Sequence, residues 1–191
     1  MTSYNSDEII IVSGLPRSGT SMMMKMLEAG GVSPFQDDVR QADTDNPNGY
    51  YEYEGVKNLG HNAAWLAQAA GHAVKIISSL LPHIPDNLNY KIIFMERQIA
   101  EVLASQQKML ERNGQEKNAS DKVMAAKFSM HLRKIKKSLA EQKMDVLYVN
   151  YAAVINEPSS QAAQVSAFLD SNLNIEKMAM VVDKNLYRQR G

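Results

Sequence analysis

The sequence predicts an α/β fold in three layers, with a mostly parallel sheet and helices on both of its faces. Short β-branched runs alternate with longer segments of helical spacing along the whole chain, and this order is typical of a parallel sheet. The first run, Ile9 to Val12, is apolar at every position, as expected of a strand buried on both faces. A length of 191 residues suits one domain, so we assign residues 1–191 to a single unit.

Each predicted element carries its own local signal. The turn after the first strand is rich in glycine, and Gly30 with Gly31 ends the helix that follows. Polar residues with a proline and a glycine predict a long loop over 35–49. Apolar residues at every third or fourth position predict a helix over 53–70. The remaining runs predict strands over 73–77, 90–95 and 146–149, and helices over 20–28, 100–110, 120–141, 158–169 and from 175.

Composition excludes several classes of function. The chain has no cysteine, which excludes a disulfide framework, thiolate metal sites and thiol catalysis. Its 21 basic and 21 acidic side chains cancel, so we expect no nucleic-acid partner. The first eight residues are polar, so we expect no secretory signal, and no apolar run approaches the ~20 residues that a membrane span needs. We therefore expect a cytoplasmic protein without a membrane span.

The turn after the first strand predicts an anion site. Residues 14–21 read GLPRSGTS and match the phosphate-binding pattern G-x-x-x-x-G-K-[ST] at both glycines and at the last hydroxyl. Thr20 stands where that pattern has lysine, and Arg17 brings a positive charge inside the loop. Backbone N–H groups at a helix start still converge on one point. Arg97, which ends the third strand, is a poor neighbour for magnesium but a good partner for an anion.

Two motifs resemble those of the sulfotransferases that use 3′-phosphoadenosine 5′-phosphosulfate (PAPS). Residues 16–21, PRSGTS, resemble the 5′-phosphosulfate loop of that family, P-[KR]-S-G-T-[TS]. Residues 97–105, RQIAEVLAS, keep the arginine, valine and serine of its 3′-phosphate signature, R-x-P-x-x-V-x-x-S, with Ile99 in place of proline. The resemblance implies a P-loop NTPase-like architecture, PAPS as donor, its bisphosphate as product and no metal. The nucleotide-binding residues that it implies are Pro16, Arg17, Ser18, Gly19, Thr20, Ser21, Arg97 and Ser105.

The resemblance extends from about Ile9 to the C-terminus. Residues 46–52, NPNGYYE, resemble an N-x-x-G-[YF]-x-E stretch of small bacterial members. Arg188 and Arg190 resemble the basic chain end that closes over the 3′-phosphate in larger relatives. A solvated basic terminus is the alternative interpretation of those two arginines.

Sulfuryl transfer needs stabilisation of charge on the transferred group. By analogy with phosphoryl transfer, Arg17 and the loop N–H groups are candidates for this role. Lys75 lies in the second predicted strand, near the place where relatives carry a lysine, and is the candidate for stabilising the leaving oxygen. A lysine at a strand edge with no catalytic role is the alternative.

The reaction also needs a base that takes a proton from the acceptor. Glu52, in the stretch that resembles small bacterial members, is the first candidate, and Glu54 is the second. A carboxylate that stabilises a helix start is the alternative for both. His83, which lies between two prolines and loosely resembles the K-T-H segment of relatives, and His61 are alternative bases.

Taken together, these residues predict transfer of a sulfuryl group from PAPS to a hydroxyl or amine, by in-line transfer with a general base. The acceptor is open between a saccharide, a lipid headgroup, a phenol and a small metabolite. A nucleotide-dependent kinase or NTPase on the same fold is one alternative, and the missing loop lysine counts against it. A non-catalytic nucleotide-binding module that lacks a working base is the other.

Overall fold

A computed structural model describes residues 7–37, 50–112, 114 and 120–183, and the statements below concern those residues. They contain one sheet of four strands, β1 (Glu8–Gly14), β2 (Ala73–Lys75), β3 (Asn89–Glu96) and β4 (Asp145–Asn150). The α-helices are α1 (Thr20–Gly30), α2 (Ile99–Arg112), α3 (Asp121–Glu141), α4 (Tyr151–Asn156), α5 (Pro158–Phe168) and α6 (Ile175–Met180). Three short 3₁₀ helices span Glu54–Asn58, Ala64–Ala69 and Leu81–His83.

The sheet is parallel throughout and is covered on both faces. Its strand order is β2-β1-β3-β4, and each of the three pairings is parallel. Successive residues of a strand point to opposite faces. Ile10 and Val12 accordingly pack in the core under α1, α5 and α6, whereas Ile9 and Ile11 pack in the core under α3 and the 3₁₀ helices. The predicted α/β fold with helices on both faces is therefore confirmed, and the unbroken apolar run in β1 has its physical explanation.

The strand register brings the residues that follow each strand to one edge of the sheet. Gly14 of β1 lies beside Met95 of β3, and Val12 lies beside Lys75 of β2. Parallel strands have their carboxyl ends at the same edge, and ligands of such folds bind there. The glycine-rich turn, Lys75 and Arg97 therefore share this edge.

The prediction of one helix over 53–70 is wrong, because the chain forms two 3₁₀ helices separated by a turn. The carbonyl oxygen of Asn58 accepts hydrogen bonds from the N–H groups of His61 and Asn62, both at 2.9 Å. Asn62 Oδ1 then accepts from the N–H of Ala64 at 3.1 Å. The side chain of Asn62 thus competes with the backbone between the two 3₁₀ helices, so the apolar spacing continues without a continuous α-helix.

No helix among the described residues combines the length and the apolar character needed to cross a membrane.

Candidate functional site

The turn between β1 and α1 is closed by contacts that only glycine permits at its first position. The N–H of Ser18 donates to the carbonyl oxygen of Leu15 at 3.1 Å, which makes a tight turn. Gly14 has φ 146°, and a Cβ on it would lie 2.5 Å from Ser18 Oγ and 2.6 Å from the carbonyl oxygen of Met95. Gly14 therefore lets the loop lie directly against the end of β3.

The backbone of the loop has the shape of an anion cradle. Arg17 and Gly19 both have positive φ, at 71° and 100°. Left-handed residues in a turn direct successive N–H groups into one concavity, and here α1 adds the positive end of its dipole. A left-handed conformation costs a non-glycine residue roughly 1–2 kcal/mol, so Arg17 needs contacts that hold it there.

Two contacts of this kind come from the second predicted motif. Arg17 Nε donates to Ser105 Oγ on α2 at 3.0 Å, although 88 positions separate the two residues. Arg97 Nη1 donates to the carbonyl oxygen of Arg17 at 3.1 Å. The side chains of the two motifs therefore lie at one place, between the ends of β1 and β3.

Arg97 is itself held by a buried ion pair and an aromatic ring. Its Nε donates to Glu101 Oε2 at 2.9 Å, and the two side chains are only 7% and 4% exposed. The guanidinium carbon lies 4.3 Å from the centroid of the Tyr151 ring. Burial raises the pKa of the Tyr151 hydroxyl, an effect that the charge of Arg97 opposes. A neutral Tyr151 therefore presents the π face on which the guanidinium stacks.

Two buried hydroxyl groups lie at or next to the loop. Ser13 Oγ and Ser18 Oγ are buried and have no hydrogen-bond partner among the described residues. A cavity of about 50 Å³ adjoins Ser18 and is lined by Leu15, Ser18, Phe94, Met95, Glu96, Arg97 and Leu132. Buried polar groups are nearly always paired, so the hydroxyl of Ser18 is a candidate donor to a ligand at this cavity, whose charged lining residues are Arg97 and Glu96.

A second charged pair lies at the end of β2. Lys75, which is 8% exposed, donates from Nζ to the carbonyl oxygen of Tyr50. Its Nζ also lies 3.4 Å from Glu52 Oε1, and that glutamate is one-third exposed. The structure thus brings together Glu52 and Lys75, which the sequence singled out independently.

The comparison with protein families decides the class of this protein. A family model described as "Sulfotransferase domain" matches residues 7–189, which is nearly the whole chain. The chain belongs to the sulfotransferase domain family. The predicted resemblance is therefore confirmed, and the protein is a transferase of sulfuryl groups in the general sense of that family.

Two further comparisons complete this finding. A search of curated proteins gives no match. Among solved structures, the chain is similar to the "Sulfotransferase Domain from the Curacin Biosynthetic Pathway", with 17% sequence identity and a TM-score of 0.49. That similarity covers 85% of this chain and 74% of the other.

Of the remaining predicted site residues of this sulfotransferase, three lie on the loop or at the start of α1, and the candidate bases Glu54, His61 and His83 lie on the exposed surface. Thr20 and Ser21 begin α1, and Pro16 is exposed on the loop. His83 lies on an exposed 3₁₀ turn with its ring against Gly60. Glu54 forms an exposed ion pair with Lys57 at 2.7 Å, and His61 is exposed. Arg188 and Arg190 and the segment 46–49 lie outside the described residues.

Sequence reasoning missed Glu101 and Tyr151, which contact Arg97, and the hydrogen-bonded pair of Ser78 and His131. Glu101 and Tyr151 hold Arg97, and the i,i+4 spacing of Arg97 and Glu101 at a helix start was the only available signal. Ser78 Oγ lies 2.9 Å from Nε2 of His131, and no motif surrounds either residue. Within the described ranges, no three His, Asp or Glu side chains are grouped to hold a metal ion.

Proposed function

We propose that this sulfotransferase takes its sulfuryl group from PAPS and passes it to a hydroxyl or amine of a small-molecule acceptor. The proposal rests above all on the hydrogen bond from Arg17 Nε to Ser105 Oγ at 3.0 Å. That contact joins the loop that resembles a 5′-phosphosulfate site to the helix that resembles a 3′-phosphate site. A nucleotide with 3′ and 5′ phosphates can bind both sets of donors only if they lie close enough together for one molecule to reach.

Arg17, Ser18 and the loop N–H groups would hold the 5′-phosphosulfate. The buried, unpartnered Ser18 Oγ and the adjacent cavity support this assignment, because an anion there would accept a hydrogen bond from the Ser18 hydroxyl. Arg97 and Ser105 would hold the 3′-phosphate. A guanidinium carries five N–H donors, so Arg97 can keep its bonds to Glu101 and Arg17 while it binds an anion.

Lys75 and Glu52 would act at the end of β2. When bound, PAPS supplies a sulfuryl group on an oxygen that leaves as part of a phosphate, and charge develops on that oxygen. Lys75 would stabilise this charge, and the Tyr50 carbonyl oxygen and the Glu52 carboxylate hold its ammonium group in place. The role of Glu52 as a base stays a prediction, as does that of His83, which the structure describes on an exposed turn.

Calorimetric titration tests the proposed donor. Adenosine 3′,5′-bisphosphate, 5′-AMP and Mg-ATP are titrated separately into the full chain without acceptor. We expect the bisphosphate to bind most tightly, since it alone engages both phosphate sites. Preference for Mg-ATP would favour the kinase interpretation, and absence of any binding would contradict the proposed nucleotide site.

Two substitutions test the assigned residues. Arg17→Ala should weaken bisphosphate binding by about 1.5–3 kcal/mol, or roughly 10- to 150-fold, the range for hydrogen bonds to charged groups. Arg97→Ala should weaken bisphosphate binding more than 5′-AMP binding. Arg133→Ala, on the exposed surface of α3, is the matched control and should leave both affinities unchanged. Equal weakening of both nucleotides by Arg97→Ala would remove the basis for a 3′-phosphate role.

We propose a small-molecule acceptor, and its kind stays open between a saccharide, a lipid headgroup, a phenol and a small metabolite. The cytoplasmic location stays a prediction from the sequence.

A further inference from the structure

A serine–histidine pair lies beside the start of the phosphate loop. Ser78 follows β2, and its N–H donates to the carbonyl oxygen of Gly14 at 2.9 Å. Its side-chain Oγ lies 2.9 Å from Nε2 of His131 on α3. Ser78 is only 1% exposed, whereas His131 is partly exposed. A buried hydroxyl thus contacts one nitrogen of the imidazole ring of a partly exposed histidine.

The helix that carries His131 borders the candidate anion cavity. Leu132, the next residue of α3, lines that cavity together with Ser18 and Arg97. One turn further along α3, Lys136 Nζ contacts a carboxylate oxygen of Glu96 at the end of β3. α3 therefore crosses the edge of the sheet where the loop and the strand ends meet.

We propose that His131, in place of Glu52 or His83, is the base that takes the proton from the acceptor, and that Ser78 is the residue that positions it. This inference rests on the proposed transfer from PAPS. In this arrangement the hydroxyl of Ser78, which can donate or accept, accepts the Nε2–H of His131, and the lone pair is then on Nδ1. The acceptor O–H bond breaks as its proton moves to Nδ1, and the acceptor oxygen bonds to sulfur. The sulfur–oxygen bond to the 5′-phosphate breaks, and its electron pair stays on the phosphate oxygen.

The environment of His131 suits a proton acceptor. Burial lowers the pKa of the His131 imidazole below its ordinary value, and the positive charge of Lys134 on the same helix lowers it further. A base must be unprotonated to act, and a lowered pKa keeps the ring neutral near pH 7. The hydrogen bond to Ser78 adds a fixed orientation, which an exposed histidine such as His83 lacks.

Nitrogen-15 NMR of the histidine rings in the full chain tests the tautomer and the location. We expect the Nε2–H tautomer for His131 in the wild type and a mixture of tautomers in Ser78→Ala. Saturating adenosine 3′,5′-bisphosphate should raise the pKa of His131, since negative charge nearby favours imidazolium, and should leave that of His72 unchanged. His72 immediately precedes β2, so it lies at the edge of the sheet where the strands begin, opposite the edge with the loop, and it is the internal control.

The outcomes separate this inference from the proposed donor. Absence of bisphosphate binding by calorimetry contradicts the donor and the inference together. Binding with no change in the pKa of His131, or an Nδ1–H tautomer in the wild type, overturns the inference alone.

Release of inorganic sulfate from PAPS, with water as the acceptor, tests the chemical role. General-base catalysis contributes about 10²- to 10⁴-fold, so His131→Gln should slow release by at least about 100-fold. The same substitution at His72 should not slow it, and bisphosphate affinity should stay within about twofold in both variants. Equal rates in the wild type and His131→Gln, whatever their size, overturn the assignment.

Discussion

Replacing Glu101 by glutamine should destabilise the fold strongly, because it leaves a buried cation without its counter-charge. Arg97 and Glu101 lie 2.9 Å apart with side-chain exposures of 7% and 4%, so water screens the pair little. Removing one partner of a buried ion pair costs about 3–5 kcal/mol. The glutamine amide oxygen can still accept from Arg97 Nε, so we expect the lower end, about 3 kcal/mol. For a chain of this length that equals roughly 6–12 °C in Tm.

Urea denaturation at pH 7, followed by circular dichroism, measures this difference. Lys137 and Glu141 on α3 provide a matched control, since they have the same i,i+4 spacing but are 76% and 64% exposed and 3.6 Å apart. Glu141→Gln should cost less than about 0.5 kcal/mol, as measured for exposed helical pairs. If the two variants differ by less than about 1 kcal/mol, the Arg97–Glu101 pair is screened by water and the reasoning is refuted.

Three further substitutions test the packing around the site. Gly19→Ala should lower the free energy of unfolding in urea by about 2–4 kcal/mol, because φ is 100° and the new Cβ would lie 2.5 Å from the Tyr151 ring. Part of that loss should vanish when Tyr151 is also replaced by alanine, and fully additive effects of the two substitutions would contradict the clash. Asn150→Ala removes the side-chain cap of α4 and should cost about 1 kcal/mol by the same assay, whereas no change would show that water replaces the cap. Burial, assisted by the negative charge of Asp86, raises the pKa of the Tyr90 hydroxyl to about 12 from 10.0. The neutral hydroxyl therefore contributes its full stability to the fold below pH 10, and this contribution declines towards pH 12. Between pH 9 and pH 11, the free energy of unfolding in urea should fall more for the wild type than for Tyr90→Phe, and equal falls would refute a contribution from Tyr90.

Features specified by neighbouring residues could be predicted from the sequence. The apolar run of β1, the glycine-rich turn and the start of α1 are each visible in a few consecutive residues, and they mark the site without a structure. Helical spacing was a weaker guide over 53–70. There the side chain of Asn62 accepts from the N–H of Ala64 between the two 3₁₀ helices, and such competition between side chain and backbone is invisible to a pattern of apolar residues.

Contacts across long stretches of chain could not be predicted. Ser78 and His131 are 53 positions apart, and their hydrogen bond depends on how α3 crosses the sheet. The same holds for the ring of Tyr151, which reaches Arg97 only because β4 pairs with β3. Tertiary packing brings Tyr151 to Arg97 and His131 to Ser78, and no local pattern in the sequence indicates either contact.

The hydrogen bond from Arg97 to the carbonyl oxygen of Arg17 has an entropic consequence. A glycine-rich loop that was loose before binding would lose about 1–2 kcal/mol of conformational freedom per residue when a ligand ordered it. Here the folding of the sheet and α2 has already fixed the left-handed Arg17, so that loss occurs during folding. Whatever anion enters the cradle meets donors that are already oriented, and more of its interaction energy remains as affinity.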